Sequence, residues 1–296
     1  MHRVPAALSR RGLLLERNNY RNFNPLWHAG GMKITTDSWG TVEQCEVAWN
    51  NGSRIWFDYA DSGSPIIIQR NYIHDNGPKD SGIFFEASEN GLIINNVLVN
   101  NERRGIYLAA SNHTRVYNNT IIGTRGFAAA EIGGMPRGGK TLLNNEFINN
   151  IICGTKAVRD FIVYVERPGE IENNRSDFNC FWRPGGTYNF IFQAYTIAGA
   201  RAKYSAKRYG DLASWSKITG FDNHSLIVDP LFLTPSPGKY PLARKSPLVD
   251  AGLFLPIVGT DYVGEPRPQG HGYDIGAFEV HTRPGPAPAK NDQRRQ

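Results

Sequence analysis

The chain has 296 residues, a formal net charge of +6, 40% hydrophobic residues, 31 Gly and 18 Pro. That supports a core and a turn-dense β protein better than a helical one, and no apolar run approaches the about 20 residues of a helical membrane span. The basic residues are scattered and three of them, Lys290, Arg294 and Arg295, belong to the C-terminal tail, so neither a nucleic-acid partner nor a membrane is expected. Cys45, Cys153 and Cys180 are too few and too far apart for a disulfide framework or a zinc site, and read as small buried apolar residues.

In chain order, Leu13-Leu14-Leu15 runs straight into an Asn-rich turn, so the N-terminal stretch reads as part of a coil and not as a cleaved signal peptide. A solenoid that opens in mid-coil lacks a polar cap, which implies earlier coils and an export signal upstream. Five anchors follow at Asn19, Cys45, Asn71, Asn96 and Asn119, spaced by 26, 26, 25 and 23 residues. A fixed period in the twenties with short β-rich runs is the mark of a solenoid. Each coil opens on an apolar strand (Ile55-Trp56-Phe57, Ile83-Phe84-Phe85, Ile106-Tyr107-Leu108). A second strand follows before the anchor (Ile66-Ile67-Ile68, Leu92-Ile93-Ile94) and a third after it (Tyr72-Ile73, Val97-Leu98-Val99). Three strands per turn predict an all-β fold, a right-handed parallel β-helix, with the anchor amides stacked from coil to coil at left-handed turns.

From residue 140 the period loosens, although Asn145, Asn150 and Asn179 keep coil-like surroundings. Residues 202–219 read as a helical excursion beside the solenoid. Residues 221–280 are punctuated by turn signals such as Asp229-Pro230 and Glu265-Pro266-Arg267-Pro268. The organisation expected is coils over 1–200, an excursion and closing segment over 201–280, and a disordered Pro-rich tail over 281–296.

The segments His224-Ser225-Leu226-Ile227-Val228-Asp229-Pro230-Leu231-Phe232, Ser246-Pro247-Leu248-Val249-Asp250-Ala251-Gly252 and Asp274-Ile275-Gly276-Ala277-Phe278-Glu279 resemble the closing segments of bacterial right-handed parallel β-helix proteins. That resemblance implies a secreted or periplasmic protein in a family containing many polysaccharide hydrolases, lyases and epimerases. It fixes no reaction, because one solenoid carries many chemistries. The motif set of pectin-degrading hydrolases (paired Asp, Gly-His-Gly, Arg-Ile-Lys) is not found.

Aligning the first strands separates their faces. Ile55, Phe57, Ile83, Phe85, Ile106 and Leu108 alternate with outward residues and are the expected core. Two outward columns result, Gly31-Trp56-Phe84-Tyr107 and Lys33-Asp58-Glu86-Ala109, with neighbours about 4.8 Å apart at the backbone. Two carboxyls that close do not both ionise cheaply. With Lys33 above Asp58, Asp58 is the expected ionised nucleophile or base and Glu86 the acid. Carboxyl groups about 5–5.5 Å apart fit retaining glycoside hydrolysis. Trp56, Phe84 and Tyr107 are the expected subsite walls for sugar rings, with His28 and Arg104 as further substrate contacts. Arg103 precedes the same strand; Glu131 falls on the next coil in uncertain register; His74, Asp75, His113, His271 and Asp274 read as structural.

Three functions remain open at this level. The first is a secreted, monomeric glycoside hydrolase acting on a polysaccharide without a cofactor. The second is a lyase in which Lys33 is the base while Asp58 and Glu86 hold calcium. The third is a glycan-binding surface module with no catalysis.

Overall fold

A computed structural model describes residues 6–25, 29–61, 63–77, 81–165, 173–198 and 201–282. Three sheets each stack seven parallel strands, and successive strands of one sheet are separated in sequence by a strand of each of the other two. Sheet A runs from Ala6–Arg11 to Arg175–Asp177, sheet B from Leu14–Glu16 to Cys180–Trp182, and sheet C from Gly30–Thr35 to Phe190–Ala198. The inward residues are those that alternation selects: Ile55, Phe57, Ile83, Phe85, Ile106 and Leu108 are all buried.

Two corners of every coil use the same device. Between sheets A and B a single residue takes left-handed backbone: Gln44, Arg70, Asn95, Asn118, Asn149 and Phe178 have φ between 52° and 59°. The next residue, Cys45, Asn71, Asn96, Asn119, Asn150 or Asn179, turns inward. From Asn71 to Asn150 each side-chain amide accepts from the main-chain N–H of the preceding coil's corner and donates to the amide of the next. The left-handed residue is therefore the one before the anchor and not the anchor itself, whose amide is freed for the ladder. Between sheets B and C, Arg17, Trp49, Asp75, Asn100, Gly123 and Gly154 are left-handed. A second ladder follows them through Asn18, Asn50, Asn76 and Asn101.

This second ladder corrects the placement of Asn19. Strand Leu14–Glu16 pairs with Glu46–Ala48, so Asn18 and Asn19 face Asn50 and Asn51 at the other corner. The wording Arg-Asn is shared by both corners, at Arg17-Asn18 and Arg70-Asn71, because both place an Asn directly after a left-handed residue.

The helical reading of 202–219 is also corrected. The helix spans Leu212–Thr219 only, N-capped by Asp211 and closed by Gly220 at φ 76°. Arg201–Tyr209 is a strand antiparallel to Phe190–Ala198. The helix does not lie beside the solenoid: Trp215 stacks on Phe190 at 5.7 Å and meets Phe161 edge-on, so it seals the end of the core. Its Nε1–H donates to the buried Asp222 at 2.8 Å.

Residues 221–280 run back along sheets A and B. Ala277 and Phe278 pack on Val97 and Val99, Leu255, Val258 and Tyr273 on Ile94, Tyr117 and Ile148, and a fully buried Arg267–Glu279 pair at 2.6 Å ties the segment together. Cys45 and Cys180 are buried, Cys153 is half-buried, and all three are free thiols. Among the described residues no helix is long and apolar enough to cross a membrane. Residues 283–296 of the Pro-rich tail lie outside the described residues.

Candidate active site

Sheet C presents its outer face away from the closing segment. Its pairing is Ile55 with Ile83 with Ile106, Trp56 with Phe84 with Tyr107, and Asp58 with Glu86 with Ala109, the columns that alternation predicts. The first coil differs. Lys33 pairs with Trp56 and Thr35 with Asp58, so Lys33 heads the aromatic column, while Gly31 falls one coil-face position earlier. The expected alignment is off by two residues, which keeps Lys33 on the same face but in the wrong column. Its length compensates: Nζ still reaches Asp58 Oδ2 at 2.9 Å while lying 3.5 Å over the Trp56 ring. His28 lies outside the described residues.

The aromatic column is not an exposed platform. Trp56 and Phe84 are 3% and 8% exposed, because the rings cover one another. Trp56 stacks on Phe84 at 5.1 Å and Phe84 on Tyr107 at 5.0 Å. The stack continues through cations: Arg104 lies 4.3 Å from the Tyr107 ring and 4.4 Å from the Phe127 ring, and Arg159 lies 4.2 Å from the same Phe127 ring. Lys33, three rings, Arg104, Phe127 and Arg159 thus form one pile along the solenoid axis. With their faces covered in this way, the rings leave only their edges free. Arg104 is likewise spent: it is buried and ion-paired with Glu131.

Asp58 and Glu86 are neighbours in different surroundings. Asp58 is partly exposed and paired with Lys33, and its second oxygen, Oδ1, is buried with no hydrogen-bond partner among the described residues. Glu86 is 6% exposed. Trp56 Nε1–H donates to its Oε2 at 3.0 Å, and the Arg137 guanidinium pairs with its Oε1. Burial pushes the Glu86 carboxyl above the usual range; Arg137 opposes this and Asp58 reinforces it.

Glu131 pairs with Tyr107 in the outward column, which settles its register. Burial raises its pKa too, against the pull of Arg104. It lines a cleft of about 290 Å³ with Tyr107, Phe127, Met135, Arg137 and Arg159. Sequence reasoning missed Arg137, Arg159 and Phe127. Arg137 belongs to residues 134–145, an insertion that carries no strand periodicity but lengthens the anchor spacing from 23 to 31 residues. Insertions of this kind map to loops over one face of a solenoid. Lys140 pins this one to Asp61 at 2.9 Å and to Glu89 at 3.6 Å. His74, bonded to Asp75 and Glu46 on sheet B, and His113, bonded to Asn144, stand away from the site. Among the described residues no three His, Cys, Asp or Glu side chains gather as a metal site.

Glu86, Glu131, Asp160, Asp222 and Asp274 are all raised, with burial the largest cause in each case. Asp274 is moved from 3.8 to about 7. A carboxyl with a higher pKa in the folded chain holds a proton that the unfolded chain has released, so stability rises as pH falls through that interval. For Asp274 the gain is absent above about 7 and complete below 3.8. The urea midpoint should therefore be higher at pH 6 than at pH 8. An equal or lower midpoint at pH 6 would mean that the cationic and N–H partners keep these groups ionised.

No curated protein and no solved structure matches the chain. The family model described as the right handed beta helix region matches residues 9–167, more than half of the chain, and the protein belongs to that family.

Proposed function

We propose that the protein hydrolyses a polysaccharide on the outer face of sheet C, with Glu86 as general acid and Asp58 as nucleophile. The observation that carries this reading is the contrast within the pair: adjacent strands hold two carboxyls, one beside the Lys33 ammonium and one raised by burial. Such a split of acid and base assignments is what glycoside cleavage requires. Adjacent strands set the backbones about 4.8 Å apart, close to the spacing of about 5–5.5 Å for retention. Asp58 attacks the anomeric carbon as Glu86 protonates the departing oxygen. Water, deprotonated by Glu86, then displaces Asp58 from the glycosyl intermediate.

The lyase alternative has less support. Lys33 is engaged in an ion pair and a cation–π contact, both of which use its charge. A base must first be neutral, and calcium would have to displace Lys33 from Asp58 and Arg137 from Glu86.

Product analysis tests the reading. The protein is incubated with neutral and uronic-acid polysaccharides, with calcium or with chelator, following reducing ends and the absorbance of unsaturated sugars. New reducing ends without unsaturation, insensitive to chelator, are expected. Unsaturated, calcium-dependent product would overturn hydrolysis in favour of the lyase. No product from folded protein would leave a glycan-binding module.

A further inference from the structure

The cleft beside Glu86 is a second feature of the same face that the pair chemistry leaves unused. Three arginines reach its neighbourhood. Arg104 is locked between two rings and Glu131. Arg159 is half-buried against Phe127. Arg137 differs from both: its side chain is 41% exposed although its partner, Glu86, is buried. It stands on a short turn closed by two main-chain bonds between Arg137 and Lys140, and it lines the cleft as well as the carboxyl. A guanidinium on such a turn has both Glu86 Oε1 and the cleft within reach. While it holds Glu86, the acid is covered and its proton is disfavoured.

Resting on the hydrolase reading, we propose that Arg137 is a substrate-operated clamp: it holds Glu86 in the free protein and turns to an acidic group of the polysaccharide in the cleft, uncovering the acid. The substrate class this selects is an anionic polysaccharide, bearing carboxylate or sulfate. Planar bidentate recognition by a guanidinium suits both groups. Arg159, which also lines the cleft, adds positive charge. The groups facing Glu86 are Asp58 and Trp56 from strand Ser53–Asp58, Lys33 from Gly30–Thr35, Tyr107 from Glu102–Ala109, and Arg137 from the insertion. Arg137 is the largest influence that favours ionised Glu86. Its departure leaves burial and Asp58, opposed by the Trp56 N–H and Lys33 but no longer by Arg137, to draw a proton onto the carboxyl, so binding of the acidic group and arming of the acid are one event.

Calorimetry at pH 7 in two buffers of different ionisation heat tests this. The probes are a galacturonic acid tetrasaccharide, a sulfated carrageenan tetrasaccharide and neutral cellotetraose. The wild-type protein should bind an acidic probe with net proton uptake, and cellotetraose without it. Whichever acidic probe binds tells carboxylate from sulfate. Glu86→Gln should bind the same probe with no uptake. Arg137→Ala, at an exposed side chain, should lose about ten- to hundredfold in affinity for it, the worth of one charged hydrogen-bonded contact, together with the uptake. Arg137→Lys should fall between the two and keeps the test open if the alanine variant misfolds. Equal binding of the acidic probe by wild type and Arg137→Ala, or binding without proton uptake, would overturn the clamp. Proton-linked binding with no cleavage of any polysaccharide would sink the hydrolase reading alone. An undiminished kcat/KM for an acidic polysaccharide in Arg137→Ala would sink the clamp alone.

Discussion

Glu86→Gln is expected to fold as the wild type does and to lose about 10²- to 10⁴-fold of kcat on the polysaccharide, the usual worth of a positioned general acid. The substitution keeps the shape and an acceptor for Trp56 Nε1–H, so the ring stack is left standing. What it removes is the proton that the glycosidic oxygen must receive on leaving. A dinitrophenyl glycoside of the same sugar separates this role from a structural one, because its leaving group departs without protonation. Glu86→Gln should cleave that substrate at near wild-type initial rates of glycosyl transfer, whereas Asp58→Asn should fail on both substrates. Equal loss by the two variants on both substrates would reduce Glu86 to a brace for Trp56 and Arg137.

The fold was legible because its determinants are local and periodic. A left-handed corner followed by Asn recurs from coil to coil, and alternation within the strands names the core. Asn19 was misplaced for the same reason: two corners share one wording, and only the pairing of Leu14–Glu16 with Glu46–Ala48 tells them apart. Residues 201–209, rich in Ala, Lys and Arg, fit a helix by composition, but pairing with Phe190–Ala198 overrides propensity.

The site was half legible. Strand register alone places Asp58 beside Glu86. Exposure of the aromatic column was misjudged because alternation says which way a side chain points and not what then covers it. Rings repeated at the strand spacing stack on each other and bury their own faces. Arg137 carries no periodic signal, since its position depends on how an insertion folds back; only the stretched anchor spacing betrays that an insertion is there.

The amide ladder makes the largest stability prediction. Asn119 is fully buried. Its Oδ1 accepts from the Asn96 main-chain N–H at 2.9 Å and from Asn96 Nδ2 at 3.0 Å. Its Nδ2 donates to Ile93 O and to Asn150 Oδ1, both at 2.9 Å. Alanine removes all of these at once, and each buried group left without its partner costs about 1–3 kcal/mol. Asn119→Ala should therefore destabilise the protein by about 3–5 kcal/mol, a large share of the roughly 5–15 kcal/mol that holds a domain together. Asn223→Ala, whose exposed amide bonds only Gly220 O, should cost less than about 1 kcal/mol and serves as control. Urea unfolding measures both. Hydrogen exchange adds the location: contacts in a solenoid run between neighbouring coils, so amides near Asn96 and Asn150 should exchange faster in Asn119→Ala while those of helix Leu212–Thr219 change least. A cost below about 1 kcal/mol at Asn119 would mean that water takes over the lost bonds, and that the coils are held by their apolar stacks and strand pairing alone.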